Sequence, residues 1–166
     1  VFPDTSVVVW GDLVRSSNGD FWTFGTEGLY RFDGFRWEVR PLPADVEALA
    51  PHKSKIVMDS DDVLWFGTAQ GLYRYDGKAW TLWKEPEGPP DNYTNNIFVD
   101  SRNRKWFSHL MGISQLSDDK TWIYFSSKSI ESSSIIIEDH DGIIWSGSDQ
   151  RYLWSYDGQK QTTYSM

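Results

Sequence analysis

Residues Leu64–Gly77 read LWFGTAQGLYRYDG, and Phe21–Gly34 read FWTFGTEGLYRFDG. Two near copies of one stretch point to an internal repeat, and its period decides the fold. Trp22, Trp65, Trp106 and Trp145 lie 43, 41 and 39 residues apart. Around them stand NGDFWTFGT, DDVLWFGT, RNRKWFSH and DGIIWSGS. Each is followed by a second run: GLYRFDG, GLYRYDG, GISQLSDD and YLWSYDG. A third anchor comes four residues past the turn aspartate: Trp37 after Asp33, Trp80 after Asp76 and Trp122 after Asp118, with Gln161 in that place after Asp157. Each unit opens on an apolar run, DLVRS (Asp12–Ser16), KIVMD (Lys55–Asp59), NIFVD (Asn96–Asp100) and IIIED (Ile135–Asp139).

Every unit therefore holds four short apolar runs divided by Asn-Gly, Asp-Gly or other polar turns, the pattern of hairpin-linked strands. No segment sustains an apolar period of 3.6; the best helical candidate is PADVEALA (Pro43–Ala50), at most two turns. Four antiparallel strands per unit of about 40 residues is the signature of a β-propeller blade. A lone blade has two apolar faces and can bury neither, whereas blades stacked around an axis bury both. The expected fold is all-β: one propeller domain over residues 1–166, with four blades near 7–40, 53–84, 95–125 and 134–166. Four blades close as a small ring, form half of a dimeric propeller, or belong to a larger one. An uncovered blade face would be a large apolar patch, which favours burial by closure or by a homodimer through the open faces.

Bulk composition agrees and excludes several functions. Ten Trp, nine Phe and eight Tyr make the chain 16% aromatic, suited to half-buried sheet surfaces. The net charge is −8, and the densest basic stretch is the short RNRK at Arg102–Lys105, so the clustered cations that nucleic acid requires are missing. No apolar run reaches the ~20 residues that span a bilayer, so direct membrane insertion is not expected. The absence of cysteine removes disulfides, thiolate metal sites and cysteine nucleophiles. The chain begins at Val1 with no visible signal peptide, which reads as a mature or excised piece.

Asp59–Gly77, DSDDVLWFGTAQGLYRYDG, resembles the two-component regulator propeller repeat, of the form D-x-x-G-x-L-W-x-G-T-x-x-G-L-x-R-Y-D-G. The first two blades match closely. The fourth keeps DHDGIIWSGS and YDG, and the third puts Ser108 and His109 where Gly-Thr is expected. The resemblance implies a sensor region outside the cytoplasm (periplasmic or extracellular), found in bacterial two-component systems that detect polysaccharide breakdown products. It supplies no catalytic residue, and no cofactor is expected.

The repeated positions read as architecture: Trp22, Trp65, Trp106, Trp145, Trp37, Trp80 and Trp122 as rings between blades, Gly28 and Gly71 at close backbone approaches, and Asp33-Gly34, Asp76-Gly77 and Asp157-Gly158 as tight turns. Arg31 and Arg74, equivalent in their strands, are expected to pair with carboxylates. Function is sought where the repeat breaks. Trp10, Trp83, Tyr93 and Tyr124 lack counterparts in most blades, and the long connection Lys84–Asn96 also carries Asp91 and Asn92. Aromatic rings stack on sugar faces, and loops on a rigid scaffold carry recognition. These six are the candidate contacts for a small-molecule or oligosaccharide ligand. EDHDGIIW (Glu138–Trp145) echoes a calcium loop but lacks its later ligands, so no metal is expected. His52, His109 and His140 lie in different units without zinc-ligand spacing. The leading expectation is a binding module rather than an enzyme. A structural or protein-interaction propeller is the alternative, and a propeller lyase, with His109 as its best base, the third.

Overall fold

The computed structural model describes residues 9–25, 27–43, 55–68, 71–84, 88–89, 92–117, 120–126, 130–131, 135–148 and 151–165, without the side chains of 9–11 and 148. Blade 1 comprises β1 (Val9–Arg15), β2 (Phe21–Gly25), β3 (Gly28–Phe32) and β4 (Trp37–Arg40). Blade 2 comprises β5 (Ile56–Met58), β6 (Leu64–Thr68), β7 (Gly71–Tyr75) and β8 (Trp80–Trp83). Blade 3 comprises β9 (Thr94–Val99), β10 (Lys105–His109), β11 (Gly112–Leu116) and β12 (Trp122–Phe125). Blade 4 comprises β13 (Ile135–Glu138), β14 (Ile144–Ser148), β15 (Tyr152–Tyr156) and β16 (Gln161–Ser165). Each is a four-stranded antiparallel meander in chain order. Among the described residues the first strand begins at Val9, near the expected blade start at residue 7, and the helical candidate at Pro43–Ala50 falls almost wholly outside the described residues.

The innermost strands are neighbours in sequence: β1 lies beside β5, β5 beside β9, and β9 beside β13. Strand alternation then divides each blade's residues between a leading face, toward the blade before, and a trailing face, toward the blade after. In blade 2, the rows Ile56–Phe66–Tyr73–Leu82 and Met58–Leu64–Tyr75–Trp80 face blade 1, while Val57–Trp65–Arg74–Thr81 faces blade 3. Burial on both faces explains why LWF in β6 is apolar without alternation.

Three cores fill the three interfaces. Phe24, Leu29 and Leu42 meet Ile56, Phe66 and Tyr73; Trp65 and Leu72 meet Ile97, Phe107 and Leu116; Trp106, Ile113 and Phe125 meet Ile136, Ile144 and Trp154. No core cluster among the described residues joins blade 4 to blade 1. The stretch Ser126–Ser134, expected as a polar connection, holds one buried anchor, Ile130, in the core between blades 3 and 4. Its single apolar side chain ties the connection down.

Each first hairpin is organised by one acceptor six residues before the repeat tryptophan. The Trp65, Trp106 and Trp145 indole N–H groups donate to Asp59 (2.8 Å), Asp100 (2.8 Å) and Asp139 (2.7 Å), and Trp22 points at Ser16 Oγ at 3.4 Å. The same hairpins tie successive blades together. The Ser17 amide donates to Asp62 (2.7 Å), the Ser60 amide to Asn103 (3.0 Å), and the Ser101 amide to Glu138 (2.7 Å).

Candidate functional site

Blades splay outward from the axis, so the gap between them widens toward the outer strands. Between blades 2 and 3 it is filled at its middle by rings. Trp83 stands edge-on to Trp65 (5.5 Å) and to Trp122 (5.9 Å), and Phe107 lies 6.2 Å from Trp65. Toward the end that carries the first hairpins, the gap opens into a cleft of about 400 Å³. Asp59, Asp61, Arg74, Thr81 and Trp83 line one wall, and Lys105, Leu116, Ser117 and Lys120 the other.

The wall of blade 2 follows from strand alternation. Trp65, Arg74 and Thr81 are direct cross-strand partners in one row, and Trp83 lies two residues beyond Thr81 on the same face. The cleft floor is electrostatically closed. Lys105 Nζ lies 3.3 Å from Asp59 Oδ2, and both side chains are buried. Asp59 also accepts the Trp65 indole N–H and the amides of Asp61 and Val63. A buried charge pair with this many additional hydrogen bonds is rigidly placed. At the rim, Arg74 is half-buried with Asp76 at 3.2 Å, and Thr81 is exposed. The cleft thus offers an aromatic edge, a guanidinium and hydroxyls on fixed strands.

The sequence candidates separate. Trp83 lies in the cleft. Asn92, Tyr93 and Tyr124 lie at the opposite end of blade 3, where β10 turns into β11. There Tyr93 and Tyr124 are 44% and 40% exposed beside exposed Leu110 and Met111, and the Tyr124 hydroxyl donates to the Met111 carbonyl at 2.8 Å. Trp10 is a β1 residue opposite Phe24 whose side chain is not described, and Asp91 lies outside the described residues. His109 is fully buried, with Nε2 2.6 Å from Ser114 Oγ and Nδ1 3.4 Å from the Tyr93 carbonyl. A base without access to substrate cannot serve a lyase, so the best candidate for that chemistry is withdrawn. His52 lies outside the described residues, and His140 is an exposed ring 3.3 Å from Asp141. In the calcium-like loop, Asp139 is occupied by the Trp145 indole and the amides of Asp141 and Ile143, which hold its carboxyl below the ordinary range.

The repeat residues sit between and within blades. Trp22 meets Tyr75 of the next blade at 6.1 Å, and Trp106 meets Tyr156 at 6.0 Å. Trp37 lies on Phe32 (5.0 Å), Trp80 on Tyr75 (4.5 Å) and Trp122 on Phe107 (5.4 Å). Gln161, in the tryptophan's place, accepts the Trp154 indole N–H at 3.3 Å. Arg31 is paired with Asp20 at 2.6 Å and Glu38 at 3.3 Å. Asp33, Asp76 and Asp157 each accept two amide bonds from their own turns, and Gly34, Gly77 and Gly158 have positive φ.

Lys105, Thr81, Ser117 and Lys120 were not singled out from the sequence. Lys105 had a signal: it occupies the place of Phe21, Leu64 and Ile144, a cation in an otherwise apolar column. The others come together only through the facing of two blades.

No protein-family profile matches the chain, and no curated protein does. Solved structures do. An extracellular domain assigned to a hybrid two-component system of B. thetaiotaomicron superposes with a TM-score of 0.76 at 20% identity, covering 100% of this chain and 24% of that one. Virginiamycin B lyase from Staphylococcus aureus superposes with a TM-score of 0.77 at 16% identity, covering 99% of this chain and 58% of that one. A third structure, an extracellular domain assigned to a one-component system of B. thetaiotaomicron, gives 0.71 at 16% identity over 99% of this chain and 22% of that one. At these identities the likeness defines the propeller fold alone. The chain spans little more than half of the lyase and about a quarter of the sensor domains. Among the described residues no helix is long and apolar enough to cross a membrane.

Proposed function

We propose that the chain is a ligand-binding propeller module of an extracytoplasmic sensor, and that the cleft between blades 2 and 3 holds a saccharide unit of a polysaccharide breakdown product. The observation that carries this reading is the placement of Trp83, Arg74 and Thr81 on one face of blade 2, above a floor fixed by Lys105 and Asp59. An indole presents apolar surface to the C–H face of a sugar, while guanidinium and hydroxyl groups orient its hydroxyls. The sensor neighbours named as extracellular domains support the location and the role. The ligand is bound and released unchanged; His109, the base a lyase would have drawn on, is enclosed by Ser114 and the Tyr93 carbonyl.

Titration calorimetry against a panel of neutral and uronic oligosaccharides tests the reading. One member should bind saturably without turnover. Arg74→Ala, at a half-buried rim position, should weaken it by about tenfold with little change in melting temperature, in line with the loss of one charge-assisted hydrogen bond. Trp83→Ala should weaken it further. Binding that persists through both substitutions would place the ligand elsewhere, and the exposed rim of Tyr93, Met111 and Tyr124 would be the next site to probe.

A further inference from the structure

Blades 1 and 2 place an arginine at the same point and surround it differently. Arg31 lies across from Trp22 on one side and Glu38 on the other, and Arg74 lies across from Trp65 and Thr81. In blade 1 the guanidinium is neutralised within its own sheet. Asp20, buried two residues before Trp22, accepts the Arg31 Nε–H at 2.6 Å and lies 2.6 Å from a second nitrogen, and Glu38 lies 3.3 Å from the third. In blade 2 both carboxylates are replaced: Val63 stands two residues before Trp65, and Thr81 takes the place of Glu38. Among the described residues Arg74 keeps only Asp76, at 3.2 Å through one nitrogen, and that turn carboxylate already accepts the amides of Lys78 and Ala79. A single pair at an exposed rim contributes little.

The other acidic groups of the cleft are engaged elsewhere. Asp59 is taken by Lys105, the Trp65 indole and two amides, and Asp61 accepts the Asn103 side-chain amide at 3.0 Å. On the facing wall Lys120 is exposed and has no ion pair among the described residues. The half-buried guanidinium therefore borders a space of about 400 Å³ with most of its N–H donors unused.

We propose that the missing carboxylate belongs to the ligand: the cleft takes a uronic saccharide, whose carboxylate seats on Arg74 as Asp20 and Glu38 seat on Arg31. The inference rests on the cleft being the binding site. A guanidinium presents paired N–H groups that match the two oxygens of a carboxylate, which fixes orientation as well as attracting charge. Trp83, two residues beyond Thr81 on the same face, offers its ring edge to the sugar, and Lys120 adds a second cation across the cleft.

Titration calorimetry with galacturonic, glucuronic and mannuronic oligosaccharides, each beside its carboxyl-reduced neutral counterpart, tests the inference. One acidic member should bind at least about tenfold more tightly than its reduced form. Thr81 is exposed, so its side chain can be changed without disturbing a core. Thr81→Glu gives Arg74 the partner that Arg31 has, and should weaken the acidic member by about tenfold or more; Thr81→Gln, equal in size and uncharged, should weaken it by no more than about threefold. A neutral member that binds as tightly as its acid, and that both substitutions weaken alike, overturns the inference and leaves the cleft reading standing. Binding that neither substitution alters, or no binding by any member, overturns the cleft reading and this inference with it.

Discussion

At the scale of single residues, the repeat is kept by backbone demands as much as by side chains. Gly71 has φ +142°, and a Cβ there would lie 2.6 Å from the Trp83 carbonyl; Gly28 has φ +140° and would place one 2.5 Å from the Arg40 carbonyl. Gly71→Ala is therefore expected to destabilise by about 1–3 kcal/mol, from the left-handed backbone together with the close approach, measurable as a lowered midpoint in urea. The turn aspartates have a different consequence. Amide bonds from Arg36 and Phe35 hold Asp33 below its ordinary range, those from Ala79 and Lys78 do so for Asp76, and those from Lys160 and Gln159 for Asp157. Each folded-state value is depressed, so the stability it contributes is present above the unfolded aspartate range, about pH 4, and is lost as pH falls through the folded values. Thermal melts should hold steady from neutrality to about pH 5 and fall below pH 4. Asp33→Asn, which keeps the acceptor oxygen and abolishes the titration, should flatten part of that fall.

At the scale of the element, the first hairpin of each blade joins a buried acceptor to the repeat tryptophan. Asp100 is almost wholly buried and serves the Trp106 indole, the Arg104 guanidinium at 2.6 Å and the amides of Arg102 and Arg104. Asp100→Ala leaves the buried Trp106 indole N–H without its acceptor and the Arg104 guanidinium without its carboxylate, and should cost about 3–5 kcal/mol, read from a denaturant curve. The spacing of aspartate six residues before tryptophan is written in three of the four units, yet its meaning is a tertiary hydrogen bond that periodicity alone does not reveal. The strands themselves were legible, because Asn-Gly and Asp-Gly turns cut the chain into runs too short for anything else. The connections were less so: Leu42 stands between two prolines and Ile130 alone among polar residues, and only the facing blades make them core.

At the scale of the whole molecule, each core cluster among the described residues joins one blade to the next, so stability is expected to sum over blades and interfaces. β10 and β11 are buried along their full length, whereas β16 at the edge of blade 4 has four of five residues exposed. Amide exchange should be slowest in β10 and β11 and fastest in β16, and addition of a saccharide that fills the cleft should slow β7, β8 and the Ser117–Thr121 turn selectively. Exchange that slows uniformly would argue for ordering of the whole arc rather than for a site between two blades.

The sequence by itself determined the strand count, the blade repeat and the all-β class, because turn chemistry and alternation act within a few residues. It also marked Trp83 as a break in the repeat. The tertiary structure decided which breaks share a site: Trp83 joins Arg74, Thr81 and Lys105, while Tyr93 and Tyr124 fall at the other end of the blade. It also decided that His109 is enclosed. These are relations between sheets, set by how whole blades face one another, and no local pattern encodes which end of an interface a side chain will reach.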